Sequence, residues 1–171
     1  MKTISIKTST QAEILDAVNL QEKNLRFEHF TNEDAWELGK HLVEKVKTDG
    51  IEMAVNIRKV NGNTIFSYFS EGTNKMNENW MNRKFNTVLM NESSSFKQWA
   101  LNMEKNYSVE SMGMDQKEYV LCGGGFPIKL TNGEMVAVVL ASNLPHEQDH
   151  MFLVNGIASF LGIEEVPQIN A

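Results

Sequence analysis

The stretch that decides the fold is residues 126–141, which read FPIKLTNGEMVAVVLA. Asn132 and Gly133 adopt the positive φ angles of a tight hairpin turn at low cost, so the segments on either side are predicted to pair antiparallel. The return segment, residues 135–141 (MVAVVLA), is apolar on both faces. Such a strand is typical of the interior of a sheet, with helices on both sides.

A second hairpin is predicted around Asn61 and Gly62, with residues 63–70 as its return strand. The residues before this turn alternate between apolar and mostly polar, because Ile51, Met53, Val55 and Ile57 are interleaved with Glu52, Ala54, Asn56 and Arg58. This period of two predicts a strand that is half buried, on one face only.

Helical patterns surround the two hairpins. Thr10 and Glu13 form a capping-box pattern ahead of a helix over residues 10–25, and a second helix is predicted from residue 32 to residue 47, with a stop at Gly50. Two amphipathic helices are predicted between the hairpins, the second carrying Phe96 to Tyr107 inward, and a C-terminal helix runs from near Pro145 to Gly162. The order of elements predicts a layered α+β fold.

Composition limits the class of protein. The 171 residues are 42% hydrophobic and 22% charged, without an internal repeat or linker, which predicts a single domain. The 16 Lys and Arg against 22 Asp and Glu give a net charge of −6, which argues against nucleic-acid binding. No apolar run approaches the ~20 residues of a membrane span. The N-terminus has no apolar export segment, so we expect a cytoplasmic protein with no membrane partner.

Residues 146–150 read HEQDH and match the HExxH pattern of zinc hydrolases. In that interpretation His146 and His150 bind zinc from one helix face and Glu147 activates water, with Glu164 or Glu165 as candidates for a third ligand past the helix end. His150 also precedes Leu153 by one turn on the apolar face. The second interpretation is therefore a buried, hydrogen-bonded core histidine.

Three consecutive glycines, Gly123, Gly124 and Gly125, precede the second hairpin. Either a ligand packs against the exposed backbone there, or the chain makes a tight turn into the strand. Cys122 beside them is either a reactive thiol or soft ligand, or an inert small apolar residue.

A polar face is predicted on the first helix between the hairpins, formed by Asn79, Arg83, Asn86 and Thr87. These side chains fall in one helical quadrant or at its edge, opposite the apolar stripe, and could hold a carboxylate. The alternative is a solvated helix face.

Four segments together resemble the family of HbpS-like and GlcG-like haem-degrading or haem-binding domains, in particular its branch of small, largely uncharacterised cytosolic proteins. The segments are FTNEDAWELG (30–39), WMNRKFNTV (80–88), GGGFPI (123–128) and ASNLPHEQDH (141–150). The resemblance implies one domain over residues 1–171 with a core at about 20–162. It further implies an antiparallel sheet of about five strands with helices on both faces, a profilin-like arrangement, and assembly into homo-oligomers, at least dimers.

The resemblance also bears on the site. Asp149 and His150 fit the family's LPxxxDH pattern, whereas His146 occupies a variable position, so the HExxH match looks accidental. The resemblance implies a histidine at two positions, the first residue of an HSS sequence and the first residue of an HGG sequence. This chain has Ser93 and Cys122 at those positions instead. Haem as a cofactor is therefore expected to bind weakly, with Cys122, His146 or a Met as substitute ligand.

The function expected from the resemblance is that of a small-molecule or haem-binding protein, with a zinc hydrolase or an oligomeric scaffold without catalysis as alternatives. The expected ligand-binding residues are Arg83, Asn86, Thr87, Gly123, Gly124, Gly125, Pro127, Ser142, Asn143 and His150.

Overall fold

The structure is a computed structural model that describes residues 3–171. Its helices are α1 (Gln11–Asn24), α2 (Asn32–Asp49), α3 (Lys75–Asn91), α4 (Ser95–Asn102) and α5 (His146–Phe160), with one 3-10 turn at Glu110–Met112. Its strands are β1 (Thr3–Ser5), β2 (Arg26–Phe27), β3 (Ala54–Lys59), β4 (Thr64–Phe69), β5 (Gly125–Leu130), β6 (Met135–Ser142) and β7 (Gln168–Asn170).

The main sheet has five strands in the order β2-β5-β6-β3-β4. Both predicted hairpins are confirmed, and β6 lies in the interior between β5 and β3 as predicted. The pairing is antiparallel throughout except at one edge, where the two residues of β2 run parallel to β5. A separate parallel pair, β1 with β7, joins the two ends of the described chain and was not predicted.

Helices cover both faces of the sheet. Alternate residues of β6 divide between two apolar cores, with Val139 and Ala141 in the larger one and Val138 and Leu140 in the smaller one. The larger core contains residues of α1, α2, α4 and α5, and the smaller contains Met81, Phe85 and Val88 of α3. The predicted layered α+β class is therefore confirmed.

The prediction that the first hairpin strand is buried on one face only is wrong. The strand begins at Ala54 rather than Ile51, and residues 54–57 are all buried because α3 covers the face that carries the polar side chains. Asn56 is satisfied there, since its amide donates to the Ser67 hydroxyl at 3.1 Å and its Oδ1 accepts from Arg58 Nε at 2.7 Å.

Helix ends follow local chemistry. The capping box is present, with the Thr10 N–H donating to Glu13 Oε2 at 2.9 Å. Gly50 ends α2 in the left-handed region at φ +62°, as predicted, and the helix continues to Asp49, two residues beyond the predicted last helical residue. Tyr107 does not face inward as predicted, because α4 ends at Asn102 and leaves Tyr107 53% exposed. Among residues 3–171 no helix combines the length and apolar character needed to cross a membrane.

Candidate functional site

A cleft of about 410 Å³ opens where the first half of α3 meets the segment joining β6 to α5. From α3 and its N-cap, the lining residues are Asn74, Met76, Asn77, Trp80 and Lys84. From the other side they are Ser142, Asn143, Leu144, His146 and Asp149, with Cys122 between the two groups. The cleft thus combines polar amides, one ion pair and an aromatic wall.

Lys84 and Asp149 form a buried ion pair in this cleft. Lys84 Nζ lies 2.8 Å from Asp149 Oδ2, and both side chains are 3% exposed. The ammonium also donates to the backbone oxygen of Ala141 at 2.8 Å. Burial raises the pKa of the Asp149 carboxyl, although the lysine charge acts to lower it. An ammonium has three N–H donors, and the third has no acceptor within residues 3–171.

The loop opposite α3 is held in shape by the same carboxylate. Asp149 Oδ1 accepts the backbone N–H groups of Asn143 and Leu144 at 3.2 and 3.0 Å. The Asn77 amide donates to Asn143 Oδ1 at 3.2 Å and to Ser142 Oγ at 3.4 Å. The polar groups of the cleft are therefore positioned before any ligand arrives, which lowers the entropy cost of binding.

The two histidines of the HExxH match lie in different environments. His146 lines the cleft with its side chain 29% exposed, and the Gly123 N–H donates to its Nδ1 at 3.3 Å. Burial lowers the pKa of His146, so the ring is neutral near pH 7 with its proton on Nε2. His150 is fully buried, stacks on Phe96 with ring centroids 4.5 Å apart, and places Nε2 2.8 Å from Gln21 Oε1.

The prediction that His150 is buried and hydrogen-bonded is confirmed. Burial lowers the pKa of His150 to about 3, and the side chain does not line the cleft. Over the part of the chain that the structure describes, no group of three His, Cys, Asp or Glu side chains is arranged to hold a metal ion. Neither Glu164 nor Glu165 joins His146 and His150.

The glycine turn fits the tight-turn interpretation. Gly124 has φ +105°, and a Cβ there would lie 2.5 Å from both Lys84 Nζ and the Ala141 oxygen. A Cβ on Gly123 would lie 2.1 Å from the His146 oxygen. The space beside these glycines is therefore occupied by other residues of the protein. Pro127 is buried within β5, outside the cleft.

The predicted polar face of α3 binds the protein's own loop. Thr87 is fully buried, and its hydroxyl donates to the Val120 oxygen at 2.8 Å and accepts the Val120 N–H at 3.1 Å. The Asn86 amide donates to the Glu118 oxygen at 2.9 Å. Arg83 Nε donates to the oxygen of residue 119 at 3.4 Å. The three side chains anchor residues 118–120 instead of lining the cleft.

Of the expected ligand-binding residues, only Ser142 and Asn143 line the cleft. Ser93, one of the two positions at which the family resemblance implies a histidine, is 5% exposed and accepts a hydrogen bond from Gln98 Nε2 at 2.8 Å, away from the cleft. Cys122, the other such position, does line the cleft, and burial raises the pKa of its thiol.

Sequence reasoning missed Lys84. A signal was present, because Lys84 follows Met81 by three residues and precedes Val88 by four, on the buried side of α3. A charged residue on the apolar face of a helix requires a buried partner. Asp149 fits the LPxxxDH pattern, but that pattern does not indicate Lys84 as its partner.

Comparison with known proteins agrees with this fold. Residues 30–158 match the family described as "Haem degrading protein HbpS-like". The UPF0303 protein YE1367 of Yersinia enterocolitica is 35% identical over 140 residues, which cover 81% of this chain and 83% of that protein. Among solved structures, the Ybr137w protein is 28% identical with a TM-score of 0.81 and covers 88% of this chain and 90% of its own. HbpS is 20% identical with a TM-score of 0.62, covering 80% of this chain and 93% of its own, and it shares the fold.

Proposed function

Because the chain belongs to the HbpS-like family of haem degrading proteins, we propose that it binds a small molecule bearing an anionic group in the cleft beside Lys84. The observation that carries this proposal is the third N–H of the buried Lys84 ammonium, which has no acceptor among residues 3–171. The Asp149 carboxylate and the Ala141 oxygen accept two of its three N–H groups, so one N–H remains available to a ligand in the cleft. A carboxylate or phosphate oxygen in the cleft would complete its hydrogen bonding.

Two further features support an anionic ligand with a flat apolar part. Helix α5 begins at the cleft with Pro145 as its N-cap, and no side chain caps its first N–H groups. Such a terminus carries a partial positive charge and unpaired donors. The indole of Trp80, which is 37% exposed, supplies a wall against which a ring can pack.

Haem is the second candidate, favoured by the family description. The strong axial ligands for haem iron are His, thiolate, Met and Tyr. In the cleft, His146 has its Nδ1 engaged by the Gly123 N–H, and a raised pKa keeps Cys122 as a thiol. Among the residues that line the cleft, the thioether of Met76, 60% exposed at the rim, is the least engaged iron ligand, with only a long 4.0 Å contact from Asn79 Nδ2. These residues do not fit a tightly held haem, and a ligand held by polar groups fits them better.

Titration with benzoate, which carries one carboxylate on a flat ring, tests the principal proposal. We expect saturable NMR shifts at the Asn77 and Asn143 side-chain amides and at the Trp80 indole. Trp80→Ala should weaken binding about tenfold, equivalent to ~1.4 kcal/mol. Met90→Ala is the matched control, because Met90 is 58% exposed on the same helix and lies outside the cleft. Shifts elsewhere, or equal affinity in both variants, would contradict the proposal.

Haem titration followed by the Soret band tests the second candidate. We expect weak binding that Met76→Leu weakens further. Tight stoichiometric haem binding that survives Cys122→Ala and His146→Ala would contradict this account of the iron ligands.

Elemental analysis of the same preparation addresses the hydrolase alternative, for which about one zinc per chain, lost in His150→Ala, would be required. The cytoplasmic location stays a prediction from the sequence.

A further inference from the structure

Strand β4 forms an open edge of the main sheet. It reads TIFSYF, contains no charged residue and no proline, and pairs only with β3 within residues 3–171. Phe69 is 40% exposed at its end. Proteins usually protect a sheet edge with charges, prolines or a covering element, and an unprotected apolar edge is a template for another strand.

One hydrogen bond shows in which direction the backbone N–H and C=O groups of β4 point. The Ser70 N–H donates to the Met53 oxygen at 3.3 Å, so residue 70 faces β3. Since antiparallel residues alternate, Tyr68 and Phe66 also face β3, while the N–H and C=O groups of Ser67 and Phe69 point to the open edge.

We infer that β4 is the docking surface for β4 of a second copy of this chain, paired antiparallel about a two-fold axis at Ser67. In this register Ser67 meets Ser67 of the partner subunit and the two exchange both backbone bonds. Phe66 then lies opposite Tyr68 of the partner subunit, and aromatic cross-strand pairs stabilise sheets. An isologous contact requires such a self-complementary surface.

The charges on the neighbouring helix have the same symmetry. Helix α2 packs on β4, with the Trp36 and Phe66 rings 5.9 Å apart, and a groove of about 770 Å³ runs between them. The groove is lined by α2 residues of alternating charge, namely Glu37, Lys40, Glu44 and Lys47. The order of these charges is self-complementary, because reversing it pairs Glu37 with Lys47 of the partner subunit and Lys40 with Glu44 of the partner subunit. Within one chain Lys40 Nζ also lies 2.6 Å from Glu37 Oε1. A second copy therefore complements the groove in charge as well as in backbone bonds.

Disulfide trapping tests the register. In a Cys122→Ala background, Ser67→Cys should cross-link two chains under a glutathione redox buffer, because Cα atoms in a hydrogen-bonded antiparallel pair lie about 5.5 Å apart, within disulfide range. Thr64→Cys is the matched control on the same strand. Its partner cysteine would lie about 20 Å away. Equal cross-linking of the two variants, or none at Ser67→Cys, would overturn the proposed register.

Charge reversal tests the surface without altering the core. Lys40→Glu and Glu44→Lys each place like charges opposite one another twice across the axis, and each should lower the mass measured by sedimentation at micromolar concentration. The double variant K40E/E44K restores opposite charges and should recover the mass of the original chain. A monomeric original chain, or a mass unchanged in both single variants, would overturn the proposal. Unchanged circular dichroism confirms that the variants fold.

Discussion

The Lys84 ammonium and the Asp149 carboxylate, 2.8 Å apart and nearly sealed from solvent, join helices that cover opposite faces of the sheet. The contact is possible because Gly124 has no side chain beside Lys84 Nζ. One ion pair thus connects the two layers and forms part of the cleft.

Breaking this pair should be costly. Lys84→Met or Asp149→Leu leaves one buried charge without its partner and should lower the free energy of unfolding by about 3–5 kcal/mol. The double variant removes both charges. Its free energy of unfolding should fall by clearly less than the sum of the decreases in the two single variants. Urea unfolding of the four proteins measures this coupling. Additive losses would show that the pair does not act as a unit.

Gly124→Ala should destabilise the fold more than Gly62→Ala. Both glycines have positive φ angles, +105° and +90°, so both substitutions carry backbone strain. At Gly62 a Cβ meets no atom within 4 Å, whereas at Gly124 it meets the Ala141 oxygen at 2.5 Å. We expect the difference between the two losses to exceed about 1 kcal/mol by thermal or urea unfolding. Equal losses would contradict the close packing of the turn.

The buried His150 should make stability depend on pH. Its pKa is about 3 in the folded chain against an ordinary value of 6.5, so the unfolded chain binds a proton that the folded chain does not. The stabilisation is complete above pH 6.5 and is lost as the pH falls toward 3. Between pH 7 and pH 5 this residue accounts for a loss of about 2 kcal/mol.

The matched variant is His150→Gln, which keeps a polar side chain but does not titrate. Its unfolding free energy should fall less than that of the original chain over the same pH interval. His146, whose pKa burial also lowers, remains in both proteins and contributes in the same direction. Parallel pH profiles of the two proteins would contradict the assignment.

Thr87→Val should loosen residues 118–121, the loop that leads to the cleft residue Cys122. The substitution keeps the shape of the side chain but leaves the N–H and the oxygen of Val120 unpaired, which should cost about 1–3 kcal/mol. Hydrogen exchange should accelerate in residues 118–121. Asn86→Ala is the control, because its single bond to the Glu118 oxygen lies in an exposed position. Identical rates of hydrogen exchange in residues 118–121 of the two variants would contradict the anchoring role of Thr87.

Local features of the chain were determined by the sequence itself. The hairpin turns at Asn61-Gly62 and Asn132-Gly133, the Thr10 cap and the end of α2 at Gly50 depend on backbone angles and on bonds between residues at most a few positions apart. The interior position of β6 followed from its apolar character on both faces, because no other environment satisfies such a strand.

The tertiary structure alone decided the rest. Whether the polar face of β3 is exposed depended on where α3 packs, and the parallel β1–β7 pair joins distant ends of the chain. Arg83, Asn86 and Thr87 have the chemistry of a ligand site but bind a loop more than 30 residues away. Lys84 and Asp149, 65 residues apart, become a pair only when the helices dock on the sheet. Periodicity reports which face of an element is apolar, whereas the partner of a buried charge is set by packing between elements, which no local pattern encodes.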